Sequence, residues 1–412
     1  MSDVAVTHPS QDESAYRRFL KCYYLTHFWY DFIFAYAIYT LYFSLRGMSV
    51  FAISLLLTWW SIAAMLAEVP TGALADSWSR RKMLVLAPLI KALCFVTWYF
   101  ADRSFYLLAL GFLLWAIGSA FRSGTSEALL YDTLVHRGNT DDYAQVLGKR
   151  KFYVYIGGAI STISGGFIAS YRIDWAILFS VAPLLLSAFH ALQMEEAPKV
   201  RSTEEIHYLQ HIRLALREMR SNKVLLYLTL YLWGVSVFGA TEEFDQLYYR
   251  LAGLPIIAFG VVSSVWFSCD AVAARLAYRM KTRTYVLYAL PVASALLLVF
   301  VFRFPSLPGI GLLLLACALT TPVRVVVESR LQHSIVGVSR ATVTSAIALL
   351  LEIPVFGLSL GLIAKAWGLP AIYLASAMLL FAVTVWAFGM RKRMEAKPAR
   401  GTAAEERREG AP

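Results

Sequence analysis

Seven ionisable residues, Asp31, Arg122, Glu127, Glu242, Arg324, Glu328 and Glu352, lie within apolar runs of the 412-residue chain. At membrane depth such groups cost several kcal/mol unless they face a partner or a water-filled cavity. His27 and Asp31 are four residues apart, the spacing of a carboxylate–imidazole pair that shares a helix face and exchanges a proton. Arg324 and Glu328 have the same spacing, so they either neutralise each other or serve a solute. Arg122 and Glu127 are five apart and on one continuous helix would point about 140° away from each other. Arg122 therefore calls for a partner from another helix or from a solute. Asp31 and Glu127 have no basic residue on their own face, and desolvation favours their uptake of a proton. Adjacent Glu242 and Glu243 point to different faces, so one at most lines a cavity, as an outer gate or a cation-attracting vestibule. Glu352 beside Pro354 reads as a buried acid on a bent helix. Glu68, Lys91 and Asp270 read as structural partners, and Asp132 as a brace for a basic loop.

This is chemistry of proton exchange and ion pairing, not of bond cleavage. Gly357-Leu-Ser359-Leu-Gly361 matches GxSxG, but that motif needs a strand–turn–helix elbow and here sits mid-helix. No Walker loop, HExxH or dinucleotide fingerprint occurs. Cys22, Cys94, Cys269 and Cys317 are isolated, without metal-ligand spacing. No cofactor, metal or enzymatic activity is expected.

The elements that must position these charges are transmembrane helices. The chain is 58% hydrophobic and 16% charged with a mean hydropathy of +0.58, outside the range of an ordinary soluble domain. Apolar runs of about 20 residues, enough to cross a bilayer, recur from Phe19 to Met390. They read as twelve helices: 19–45, 50–75, 83–101, 105–135, 151–170, 175–193, 224–249, 255–279, 285–302, 308–336, 341–364 and 369–390. The expected order is a polar segment (1–18), a six-helix bundle (19–193), a charged linker with surface-helix periodicity (194–222), a second six-helix bundle (223–390) and a disordered tail (391–412). Residues 1–18 lack a secretory signal, leaving the first span to target the chain. The net charge of +11 is not a nucleic-acid signal, because the basic residues flank the spans and face lipid headgroups. On one side 29 Lys and Arg collect, against six on the other, which places both termini and the linker in the cytoplasm.

The loop Gly72-Ala-Leu-Ala-Asp76-Ser-Trp-Ser-Arg80-Arg81-Lys82 resembles the signature GxxxD(R/K)xGx(R/K)(R/K) of the major facilitator superfamily, with Ser77 and Ser79 in place of the inner basic residue and second Gly. Physically, Gly72 would let helices approach closely, Asp76 would cap or face a helix N-terminus, and Arg80 and Arg81 would bridge to carboxylates or lipid. An offset of 202 residues lays this loop over Ala274–Tyr278, Glu68 over Asp270 and Arg122 over Arg324, as internal duplication of two bundles would. Glu68–Gly72, Ser123–Asp132 and Arg340–Ser345 look like a bacterial branch of the family. The fifth helix carries Gly157, Gly158, Gly165 and Gly166 without the Gly-Pro pair of the family's antiporters.

The resemblance implies an all-α membrane protein with the family's two pseudo-symmetric six-helix bundles. It implies a monomeric secondary transporter in the cytoplasmic membrane, moving a small solute by alternating access; the acidic groups at depth, with no nucleotide site in the sequence, point to protons as the driving ion. The loop from Gly72 to Arg81 would gate, with Asp76 stabilising the outward-open state. The alternatives are an uncoupled facilitator and a non-transporting membrane receptor or assembly protein.

Overall fold

The structure, a computed structural model, describes residues 9–196, 198, 222–266, 268, 285–335 and 355–394. Most of the 194–222 linker, Asp270, Arg340, Glu352, Pro354 and most of the tail lie outside the described residues. Regular structure among those described is helical. Nine spans there are long and apolar enough to cross a membrane, 50–72, 80–100, 105–137, 140–171, 173–192, 223–251, 286–303, 307–332 and 371–389. These are the expected spans two to seven, nine, ten and twelve. The eighth and eleventh run into residues outside the described set. The first is broken.

The chain forms α1 (Pro9–Tyr30), a 3-10 turn (Phe34–Ala37), α2 (Tyr39–Leu45), α3 (Val50–Ser77), α4 (Arg80–Phe100), α5 (Phe105–Arg122), α6 (Thr125–Arg137), α7 (Tyr143–Tyr171), α8 (Ile173–Phe179) and α9 (Val181–Leu192). Then come α10 (Lys223–Leu251), α11 (Ile256–Trp266), α12 (Val286–Arg303), α13 (Leu307–Ser334), α14 (Val355–Trp367), α15 (Ala371–Gly389) and α16 (Arg391–Met394). By contact density the described residues divide into two units. One lies within 1–203, 244–268 and 357–365, the other within 204–243, 269–356 and 366–412.

In the first unit three expected helices are interrupted. The first breaks just after Tyr30 and resumes at Tyr39, with neither Gly nor Pro in the gap. Tertiary partners hold the break by taking up freed backbone groups, which no water would satisfy in lipid. The Ala35 amide donates to Ser180 Oγ at 3.0 Å. The Thr40 amide and hydroxyl donate to Gln246 Oε1 at 3.0 and 2.9 Å, and Gln246 Nε2 donates to the Tyr36 carbonyl at 2.8 Å. Ser180 itself marks the break between α8 and α9. The fourth helix breaks at Ser123–Gly124, where Gly124 has φ +67°, a conformation that costs glycine nothing.

Close packing places these breaks. In the core Trp98 meets Phe43 and Phe112, both with ring centroids 4.8 Å away, and its indole N–H donates to the Leu108 carbonyl at 3.1 Å. α4 and α5 approach so tightly that a Cβ on Gly118 would sit 2.8 Å from the Ala87 carbonyl. A Cβ on Gly165 in α7 would lie 2.1 Å from the Phe34 carbonyl, so the broken first helix rests on bare backbone of the fifth. Gly157, whose Cβ would lie 3.1 Å from Phe28, and Gly165 are thus packing residues of α7. Gly165→Ala is expected to cost about 1–3 kcal/mol by overpacking, read as a lower unfolding temperature of the detergent-solubilised protein. Gly148→Ala is the matched control, because a Cβ there meets nothing within 4 Å and gains helix propensity. Equal effects at the two positions would contradict the packing.

In the second unit α12 packs against α13 and α15. Tyr231 donates to the Leu287 carbonyl and Ser294 to the Ala316 carbonyl at 3.0 Å. Phe152, Phe167, Leu296, Phe300 and Phe381 are exposed, as hydrocarbon solvent allows.

Candidate functional site

Two of the three interrupted helices, the first and the fourth, bring their charges together. Asp31 follows directly on α1 and Arg122 ends α5, and a guanidinium nitrogen of Arg122 lies 3.2 Å from one Asp31 carboxylate oxygen. Lys91 Nζ from α4 lies 3.9 Å from the other. Among the described residues Asp31 is the one carboxylate in ion-pair range of either cation.

The surroundings of the two cations differ. Lys91 is 1% exposed and donates to the Tyr36 hydroxyl at 2.9 Å and the Tyr30 carbonyl at 3.4 Å. Its ammonium also lies 4.1 Å from the Tyr30 ring centroid and 5.3 Å from that of Trp115, within cation–π range. Arg122 keeps a 31% exposed side chain, stacks on Tyr30 at 4.2 Å, and has a buried Nε with no hydrogen-bond partner. Tyr30 thus stands between two cations and Asp31 between the same two. Arg122 finds the interhelical partner that its position calls for, and Lys91 belongs to the same cluster. Its sequence signal was one cation in an otherwise apolar helix.

A second cluster surrounds Glu127. Because the fourth helix breaks at Gly124, one continuous helix no longer sets the angle between Arg122 and Glu127. Glu127 pairs with Arg150 at 2.5 Å, a basic partner supplied by a neighbouring helix rather than by its own face. Arg150 also donates to Ser126 Oγ at 3.2 Å and to the Tyr23 hydroxyl at 3.3 Å. The expected fifth helix began at Lys151, but α7 starts at Tyr143, which puts Arg150 inside it. His27 Nε2 bonds Ser126 Oγ at 2.8 Å, so its partner is this network rather than the Asp31 carboxylate. The Asp31 amide still donates to the His27 carbonyl at 3.4 Å, so the helical spacing persists in the backbone while the two side chains find different partners.

The loop after α3 is nailed down within the first unit. Arg80 pairs with Asp132, both nearly buried, and donates to the Ala128 carbonyl at 3.1 Å. The Glu196 carboxylate accepts from the Arg80 amide at 2.6 Å and from the Ser79 hydroxyl. Arg81 reaches the Met194 carbonyl at 3.4 Å. Gly72 is exposed and a Cβ there would meet nothing within 4 Å, so the close approach expected of it occurs instead at Gly118 and Gly165. Asp76 belongs to α3, and its side chain lies outside the described set.

In the second unit Arg324 is half-buried and Glu328 exposed on α13, and among the described residues no ion pair joins them. Glu242 on α10 is exposed and Glu243 half-buried.

The comparisons with known proteins agree with this architecture. The family model described as Major Facilitator Superfamily matches residues 22–352. Among solved structures, a bacterial homologue of the human lysosomal transporter Spinster, inward-facing and unoccupied, is similar with a TM-score of 0.73 at 16% identity, covering 96% of this chain and 100% of that one. The nucleoside transporter NupG, as a point mutant, gives 0.73 at 13% identity over 91% and 99%. A POT family transporter in complex with 5-aminolevulinic acid gives 0.65 at 11% identity over 92% and 96%. A sequence comparison with curated proteins returns no match. With the family model spanning most of the chain and the same fold in these carriers, the protein belongs to the major facilitator superfamily and is a non-enzymatic, multi-pass membrane transporter.

Proposed function

We propose that the protein moves a small solute across the cytoplasmic membrane by alternating access and couples that movement to protons at Asp31. The observation that carries this reading is the Asp31–Arg122 pair at 3.2 Å, set where the first and fourth helices are both interrupted. Interrupted helices at membrane depth free backbone and side chains to serve a solute or coupling ion. A carboxylate held by a cation stays ionised, and one from which the cation is drawn away protonates. Alternation between those two conditions links proton movement to solute movement. Glu127, Glu242, Arg324, Glu328 and Glu352 are the further coupling candidates, and Asp76, with the loop from Gly72 to Arg81, is the proposed gate. One neighbour is named a nucleoside transporter and another is in complex with 5-aminolevulinic acid, small molecules of the scale proposed here.

The basic asymmetry supports a cytoplasmic location for both termini and the 194–222 linker, and the proposal takes the protein as a monomer in the inner or plasma membrane. The test is flux into proteoliposomes of the full chain, with and without an imposed pH gradient. Accumulation that follows the gradient is the expected result, and flux indifferent to it would leave an uncoupled facilitator. Cysteine substitutions at Ser202 and Ser306, on a background free of native cysteines, check the topology. An impermeant thiol reagent should label the second from outside intact cells and leave the first untouched.

A further inference from the structure

We infer that the transported solute carries a carboxylate and that Arg122 is the group that binds it. The inference rests on the proton-coupling reading and deepens it. If Asp31 takes up a proton, Arg122 and Lys91 both lose the one carboxylate that the described residues bring to them.

Lys91 keeps the Tyr36 hydroxyl at 2.9 Å, the Tyr30 carbonyl at 3.4 Å and the Tyr30 and Trp115 rings. Arg122 keeps little besides the face of Tyr30, and its buried Nε already has no acceptor. A guanidinium is always charged, and leaving a charge unpaired in a low-dielectric site is strongly unfavourable. Protonation of Asp31 is therefore sustainable when another anion takes its place on Arg122. The exposures point the same way. Arg122 presents a 31% exposed side chain to an incoming ligand, whereas Lys91, at 1%, is sealed behind its rings.

A singly charged carboxylate replaces the Asp31 carboxylate like for like, and the planar guanidinium fork matches it with two parallel hydrogen bonds. A phosphate would need Lys91 for its second charge, and Lys91 is 1% exposed and already turned to the Tyr36 hydroxyl and the Tyr30 carbonyl. One carboxylate entering with one proton leaves the charge of the cluster the same loaded and empty.

The test uses the purified full-length protein with propionate as probe, its uncharged isostere propionamide, and inorganic phosphate, read as the shift in unfolding temperature against concentration. Propionate is expected to stabilise the protein and propionamide not. Asp31→Asn, which imitates the protonated carboxyl and frees Arg122, should bind propionate about tenfold more tightly, or about 1.4 kcal/mol. Arg122→Gln should lose the response, and Arg122→Lys, which keeps the charge but not the fork, should retain a weakened one should the Gln variant fold poorly. Propionamide acting like propionate, no tightening in Asp31→Asn, or no probe binding at all would overturn the inference. Preference for phosphate would overturn the carboxylate assignment. Flux measured on the same preparations separates the two claims. Carboxylate binding without pH-driven flux removes the coupling reading alone, and pH-driven flux that propionate does not inhibit removes this inference alone.

Discussion

Asp31→Asn is expected to preserve solute exchange at equal concentrations while abolishing accumulation driven by an imposed pH gradient. The substitution retains size and hydrogen-bonding atoms but removes both the charge that holds Arg122 at 3.2 Å and the site that alternates between proton and guanidinium. A carrier locked in the protonated-like condition cycles with solute and cannot concentrate it. The expected change is therefore nearly complete in coupling and small in exchange. Measured side by side in proteoliposomes, the two rates should separate for this variant, whereas variants that remove Arg122 should lose both. Glu127→Gln has a different expectation from the one its sequence context gives. Its carboxylate is neutralised by Arg150 at 2.5 Å, so a loss of accumulation there would point to the Tyr23–Ser126–His27 network as a second proton path.

The second large effect concerns stability rather than transport. Arg80 and Asp132 form a nearly buried pair joining the basic loop to α6, with Glu196 receiving the loop backbone from the other side. Asp132→Ala takes the carboxylate from the nearly buried Arg80 and is expected to destabilise the first unit by up to about 3–5 kcal/mol. The paired replacement of Arg80 by Met and Asp132 by Leu should recover much of that loss, because removing both charges also removes the desolvation cost. Unfolding temperature and yield of monodisperse protein from membranes read both. If the double variant is no better than the single, the loop's role is not that of a paired brace.

The spans were legible because bilayer thickness imposes a length of apolar sequence that no soluble fold needs. The bracing role of Asp132 was legible from an acid placed beside a basic loop. The breaks were legible only in part. Gly124 sits in the fourth helix as a residue suited to a positive φ, whereas the break after Tyr30 has no Gly or Pro and exists because Ser180, Gln246 and the bare face of Gly165 accept it. Partners from distant sequence leave no local mark. For the same reason Lys91 and Arg150 read as a structural cation and a topology marker. Their roles depend on which helix packs against which, and periodicity along one helix does not contain that information. The His27–Asp31 spacing misled because His27 meets Ser126 and Asp31 meets Arg122, partners on other helices that the periodicity of one helix does not contain.

Proton movement during transport tests the broken-helix charge cluster most directly. Proteoliposomes holding the full-length protein and a trapped pH-sensitive dye are exposed to a small-metabolite extract without any imposed gradient. Wild-type vesicles should acidify inside as solute enters, and Asp31→Asn vesicles should take up solute to equilibrium with no change in internal pH. Equal acidification by the two, or solute entry into wild-type vesicles with no pH change, would contradict coupling at Asp31.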